Sequence, residues 1–306
     1  MPLDPPPFPR AGEVCALASA GAWAVASVLF ARALRDRSAA DALGFKNGVA
    51  TLVLAAVALL LGPELGGGLP PPASLGWLAA SGVASLGFGD LLYFVALYRL
   101  GVAPTIILTQ LTPALTALGA WPLYDQPVGG LEALGILLVV AGGAWSQLAP
   151  TGATPHPRRR SGLFAALACT VAWTAGNLMM EPGLRGTGVV TAGATRLLAA
   201  FAALVLFLFV RGRGADLRRV FLRRGSWRAL LAPTLIGTVF GMVLYAAGFK
   251  WAEAGVAASL SNAVPLFTVP LAAFVLKEPT PPRQWLAAGV VVAGVALLGL
   301  APESLP

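Results

Sequence analysis

Residues 89–127, GDLLYFVALYRLGVAPTIILTQLTPALTALGAWPLYDQP, return as residues 241–279, GMVLYAAGFKWAEAGVAASLSNAVPLFTVPLAAFVLKEP. Laid on one another without a gap, they place Gly89 on Gly241, Tyr93 on Tyr245, Pro113 on Pro265 and Pro127 on Pro279. The register holds onward to Gly142 over Gly294 and Pro150 over Pro302. Upstream the offset changes from 152 to 150, and Gly12 then falls on Gly162, Ala22-Trp23 on Ala172-Trp173 and Lys46 on Arg196. Self-similarity over most of a chain marks one structural unit made twice. Of the 306 residues, 57% are hydrophobic and 11% charged, with a mean hydropathy of +0.78. A soluble domain carries about 25% charged residues, so a soluble fold is excluded.

Apolar runs of spanning length fall at 14–30, 43–61, 75–97, 102–123 and 129–148 in the first copy. In the second they fall at 163–180, 189–210, 229–249, 255–276 and 285–301. An open strand or loop in hydrocarbon leaves backbone groups unpaired, so each run is expected to be a helix. The predicted fold is an all-α integral membrane protein of ten transmembrane helices in two five-helix repeats. Its divisions are a tail 1–12, a repeat 13–150, a basic linker 151–161, a repeat 162–302 and a tail 303–306. The first run is not expected to be a cleaved signal peptide: residues 1–9 are Pro-rich without a base, and the run has a counterpart at 163–180. Five is odd, so the second copy enters the bilayer from the side opposite to the first. The repeats are then inverted about an axis in the membrane plane, and secondary transporters hold solute near the midplane of such a pair.

Residues able to do covalent chemistry are few. Cys15 and Cys169 both lie in apolar runs, against a disulfide framework or the usual zinc spacing, and His156 sits in a Pro/Arg loop where it is solvated. The Gly-rich stretch 62–72 lacks the spacing of a phosphate loop and reads as an extramembrane loop. Intramembrane acyl or phosphate chemistry needs clustered His, Asp, Glu or Cys, and the spans hold one mid-span carboxylate and two separated thiols. No enzyme activity, cofactor, bound metal or nucleic-acid partner is expected. The net charge of +8 suits loops facing anionic cytoplasmic lipid. With Lys46 and Arg196 set aside, the bases gather in 32–37, at Arg99, in 158–160, in 211–228, at Lys277 and at Arg283, all after odd-numbered spans. The termini and the other loops hold Arg10, Arg185 and Lys250. The positive-inside rule therefore puts both termini outside the cytoplasm.

Ionisable groups within spans are functional candidates by default. Asp90 shares a helical face with Tyr93. It is read either as a proton-coupling or cation-binding carboxylate, or as an acid that pairs with Arg99 or water. Its repeat partner is Met242, so its role is asymmetric. Lys46 and Arg196 sit about one turn inside their spans, where they either snorkel or form a gate ion pair. Trp23 with Ser27, and Trp173 with Asn177, each present an aromatic and a polar group four residues apart on one face. They read as a surface for apolar or cationic ligands or as interfacial anchors. Pro113 and Pro265 free the carbonyls of Thr109 and Ser261, and Gln110, Thr112 and Asn262 add polarity there. These prolyl kinks read as part of a binding site or as packing devices, with Tyr245 completing the candidate substrate-binding set. Glu181, before Pro182, reads as a solvent-facing helix end.

These residues resemble the drug/metabolite transporter superfamily, in its ten-span branch of two EamA-type domains, over residues 13–301. The resemblance rests on the Ala-Trp pairs at 22–23 and 172–173, on Lys46 and Arg196 opening the second span of each repeat, and on Tyr93 and Tyr245. It rests further on Pro113 and Pro265 and on the Leu-Lys-Glu-Pro ending at 276–279. The family pattern sets an acid after the fourth span of each repeat; Glu278 fills it in the second copy, while the first has Gln126 with Asp125 before it. The resemblance implies a secondary transporter, an exporter of a small polar or amphipathic metabolite such as an amino acid, in the plasma (inner) membrane. Relatives in that branch generally keep both termini inside, a departure from the charge count above. The same architecture could instead move a lipid or lipid-linked headgroup. One chain encloses a site, so a monomer suffices, and a homodimer is compatible with it.

Overall fold

The computed structural model describes residues 6–33, 39–61, 69–100, 105, 108–146, 159–212, 227–275 and 280–300. Helix α1 spans Ala11–Ala33 and α2 Ala39–Leu60. The third run is a continuous rod of α3 (Pro72–Gly82), a π-helical segment (Val83–Gly89) and α4 (Asp90–Leu100). Helices α5 (Thr112–Tyr124) and α6 (Gly130–Ser146) end the first copy. The second copy opens with α7 (Arg159–Leu178), short α8 (Met180–Leu184) and α9 (Val189–Val210). A matching rod follows, of α10 (Trp227–Pro233), a π-helical segment (Thr234–Phe240) and α11 (Gly241–Trp251). Then come α12 (Ala254–Ser261), α13 (Pro265–Pro270) running into a π-helical segment (Leu271–Val275), and α14 (Pro282–Leu300).

Among the described residues there is no strand. Six helical segments among the described residues are long and apolar enough to cross a membrane: Ala11–Leu29, Pro72–Tyr93, Arg160–Leu184, Val189–Val210, Ala229–Trp251 and Ala254–Val275. Gly44–Leu60, Gly130–Trp145 and Pro282–Leu298 are shorter apolar helices. The run read at 102–123 is described only at Thr105 and from 108 onward. His156, residues 151–158 of the basic linker, the Arg-rich stretches 34–38 and 213–226, most of the Gly-rich stretch and Leu276 to Pro279 lie outside the described residues.

Two expectations need correcting. The prolines do not kink a helix; they begin a new one. Pro113 lies in the first turn of α5 and Pro265 in the first turn of α13, where a fixed φ and a missing N–H fit the start of a helix. The chain before each proline is broken: Leu111 donates to the Leu108 carbonyl, and Asn262 caps α12. Glu181 is no solvent-facing terminus either. The chain turns helical again through it, and its side chain is 14% exposed.

Packing follows the physics of a lipid solvent. Leu52, Leu59, Phe164, Leu206, Phe209 and Leu286 are exposed, while the interior is rich in Ala, Ser and Thr, with Asn47, Asn177 and Arg196 among them. Lipid tails are as apolar as leucine, so helices associate through close approach of small residues and through polar contacts. Helix α1 packs on α11 as α4 packs on α7, while α2 meets α9, α5 meets α12 and α6 meets α14. Apart from α5–α12, each of these contacts either recurs with the copies exchanged or joins a helix to its own counterpart. At α6–α14 the exchange is visible residue by residue. A Cβ on Gly142 would stand 2.8 Å from Val291, and one on Gly294 would stand 2.8 Å from the Val139 amide and the Gly135 carbonyl.

This contact predicts a stability difference within one helix. Gly294→Ala forces a methyl into backbone and is expected to cost about 1–3 kcal/mol. Gly289→Ala, whose Cβ meets nothing within 4 Å, gains the same helix propensity without the clash. Thermal unfolding in detergent should give a lower Tm for the first only; equal Tm values would contradict the packing.

Candidate functional site

The polar groups that the repeat brings into register meet where the two copies face each other. Lys46, on α2, lies 3.7 Å from the Asp90 carboxylate at the head of α4. Trp173, on α7, donates its indole N–H to the other Asp90 oxygen at 3.2 Å and stacks at 5.2 Å on Tyr93. Asp90 is therefore held by one residue of its own copy and one of the other. The alternative partner, Arg99, donates instead to Ser161 at 3.1 Å.

The second copy builds the same frame with different chemistry. Arg196, on α9, approaches Met242 at the head of α11 as Lys46 approaches Asp90, with Nη1 3.4 Å from the Met242 sulfur. Its Nη2 donates to Ser85 Oγ at 3.0 Å, and the guanidinium lies 5.5 Å from the centre of the Tyr245 ring. Trp23 stacks at 5.2 Å on Tyr245 and, with no carboxylate opposite, donates to the Gly237 carbonyl at 2.9 Å. The Tyr245 hydroxyl donates to Asn177 Oδ1, and Asn177 Nδ2 donates to Thr116 Oγ1 at 3.3 Å. Ser85 donates in turn to the Ser81 carbonyl, and Ser81 to the Gly176 carbonyl. This network spans both copies.

Arg196 does not snorkel: it is 1% exposed. No carboxylate of the described residues lies within ion-pair distance of it, and its Nε is buried without an acceptor. A guanidinium at membrane depth costs about 2.5–3.5 kcal/mol on insertion scales. One hydrogen bond to a charged group returns about 1.5–3 kcal/mol and a desolvated ring face about 2. These offset the insertion cost, but the orphaned N–H still costs about 1–3 kcal/mol.

The structure divides the remaining predicted residues. Trp23, Tyr93, Asp90, Trp173, Asn177, Tyr245, Lys46 and Arg196 gather in this centre. Ser27 is exposed and donates to the Trp23 carbonyl of its own helix. Thr109, Gln110, Pro113, Ser261, Asn262 and Pro265 sit at the two helix breaks. There Ser19 donates to Ser261 at 3.2 Å, Thr109 to the Thr105 carbonyl, and Asn262 to the Ala258 carbonyl. Gln110 packs on Gly143, where a Cβ would stand 2.4 Å from its Nε2. Sequence reasoning missed Ser81, Ser85 and Thr116. Ser85 aligns with Gly237 and carries no charge, so nothing marked it; the π-helical segments that both copies place just before Asp90 and Gly241 were equally silent. Such segments recur at functional sites.

One end of the bundle carries a second cluster. Gln126 accepts from the Ala254 amide at 3.0 Å and donates to Glu181 at 2.8 Å, and Arg185 lies 3.8 Å from Glu181. Lys250 donates to the Thr187 carbonyl and Ser74 to the Arg185 carbonyl. Glu253, between α11 and α12, shares a recess with Gln126 and Glu132. Burial, then the charges of Glu132, Glu181 and Glu13, push its carboxyl from 4.5 to about 7. Raised in the fold, this group favours the folded state below about 4.5, and that contribution is lost as the pH rises through 7. In thermal unfolding, Glu253→Gln should flatten the fall of Tm over that window. A slope equal to that of the wild type would count against the assignment.

The EamA-like transporter family matches residues 10–146 and, a second time, residues 160–300. A solved structure described only as "Crystal structure of protein" superposes with a TM-score of 0.74 at 18% identity, covering 96% of this chain and 98% of that one. At that identity the likeness is one of fold. No curated protein matches the sequence.

Proposed function

Because the chain belongs to the EamA-like transporter family of the drug/metabolite transporter superfamily, we propose that this multi-pass membrane protein is a ten-span secondary transporter. In this reading its two five-helix repeats are inverted and it exports a small polar or amphipathic metabolite, such as an amino acid, by alternating access. One observation carries the reading: residues that the repeat makes equivalent have unequal exposure. The Lys46 and Asp90 side chains are 24% and 15% exposed, whereas Arg196 and Met242 are 1% and 4%. Ser27 is exposed and its counterpart Asn177 buried. Two like halves that are open on one and sealed on the other have a counterpart state with the roles exchanged. The sealed end is the one tied by Gln126, Glu181 and Arg185. The charge count puts it outside, so the open end faces the cytoplasm, where an exporter loads.

Asp90 is the proton-coupling candidate. Protonation would remove the charge that holds Lys46 and so loosen α2 from α4. In proteoliposomes, Asp90→Asn is expected to slow transport about tenfold, equivalent to about 1.4 kcal/mol of barrier, and to abolish its pH dependence. Unchanged rate and pH profile would remove the assignment. The orientation has its own check: a reporter active only in the cytoplasm, fused after Pro306, should stay silent, and a signal from it would reverse the topology. The plasma (inner) membrane is the proposed site. One chain suffices for the cycle, a homodimer is compatible with it, and the partners are the solute and membrane lipid.

A further inference from the structure

The internal repeat supplies its own control for the buried arginine. Lys46 and Arg196 are equivalent, as are Asp90 and Met242, and each cation contacts the residue at the head of the helix beside it. In the first copy that residue is a carboxylate. In the second it is a thioether, a weak acceptor on a flexible side chain. For two cations there is one acid, and it is paired with Lys46; a buried charge without its partner is the costly arrangement. The orphaned Nε adds a donor with nothing to receive its proton. Around it stand the Tyr245 ring, the Ser85 hydroxyl and, behind Tyr245, the Trp23 ring. We infer that the missing acid travels with the solute: Arg196 binds the carboxylate of the transported molecule, which displaces the Met242 sulfur from Nη1 and engages the free Nε. Arginine suits this role because its donors match a carboxylate two at a time. The Tyr245 and Trp23 faces then receive the apolar part. This rests on the transport reading and specifies the class of solute as a carboxylate with an apolar or aromatic body.

The test uses probes that differ in charge on one skeleton: 3-phenylpropionate, L-phenylalanine, phenethylamine and, as a second anion, inorganic phosphate. Thermal unfolding of the purified full-length protein in detergent is measured with each. The two carboxylates should raise Tm, phenethylamine and phosphate should not, and the shift should vanish in Arg196→Met and in Met242→Asp. Met242→Asp installs the acid that the first copy already has, so without ligand its Tm should exceed that of the wild type. A purely structural arginine would instead leave the carboxylate shift intact in Met242→Asp. No shift with either carboxylate overturns the assignment, as does a shift by phosphate alone, by phenethylamine, or one that survives in both variants. Flux into proteoliposomes separates this from the reading beneath it. Wild-type transport that persists in Arg196→Met overturns the carboxylate site and leaves transport standing, whereas no flux of any probe counts against transport itself.

Discussion

Charge held at membrane depth is the constraint on which the structure depends. Hydrocarbon does not solvate a guanidinium or a carboxylate, so each must be satisfied by protein, and the two repeats meet at the groups that satisfy them. Asp90 is held by Lys46 of its own copy and Trp173 of the other. Arg196 is held by Ser85 of the other copy and by Met242 and Tyr245 of its own. Neither copy could keep its ions in lipid alone.

From this follows the rest of the architecture. Polar side chains can meet only if helices approach closely, and the interior is accordingly built of Ala, Ser and Thr, with Gly142 and Gly294 admitting Val291 and Val139. Many of the large apolar side chains, Leu59, Phe164 and Phe209 among them, face outward, where burial would gain nothing over lipid. Ser27 and Lys46 are more exposed than their repeat counterparts Asn177 and Arg196.

Much of this is legible in the amino-acid sequence alone. Helices are readable because hydrocarbon permits little else, and the repeat because glycines, prolines and aromatics keep their register. The same register pairs Lys46 with Arg196 and Asp90 with Met242, which anticipates the contacts that form. Sequence reading fails where side-chain identity gives no clue to surroundings. Ser85 and Thr116 are ordinary residues until Arg196 and Asn177 reach them. The prolines signal interruption but not its form, since a kink and a fresh helix start place the same demands on a residue without an N–H. Glu181 looks like a terminus because its partner, Gln126, lies far away in the chain. The helix-break residues, Gln110 and Asn262 among them, share the polarity of the centre but lie on contacts of their own.

The central claim is that the two halves exchange exposure, and side-specific labelling tests it most directly. Ser27→Cys and Asn177→Cys would be made in a chain lacking Cys15 and Cys169, then treated with a membrane-impermeant thiol reagent in vesicles of each orientation. The account predicts that the first cysteine reacts only from the cytoplasmic side and the second only from the opposite side. Reaction of both from the same side would contradict it.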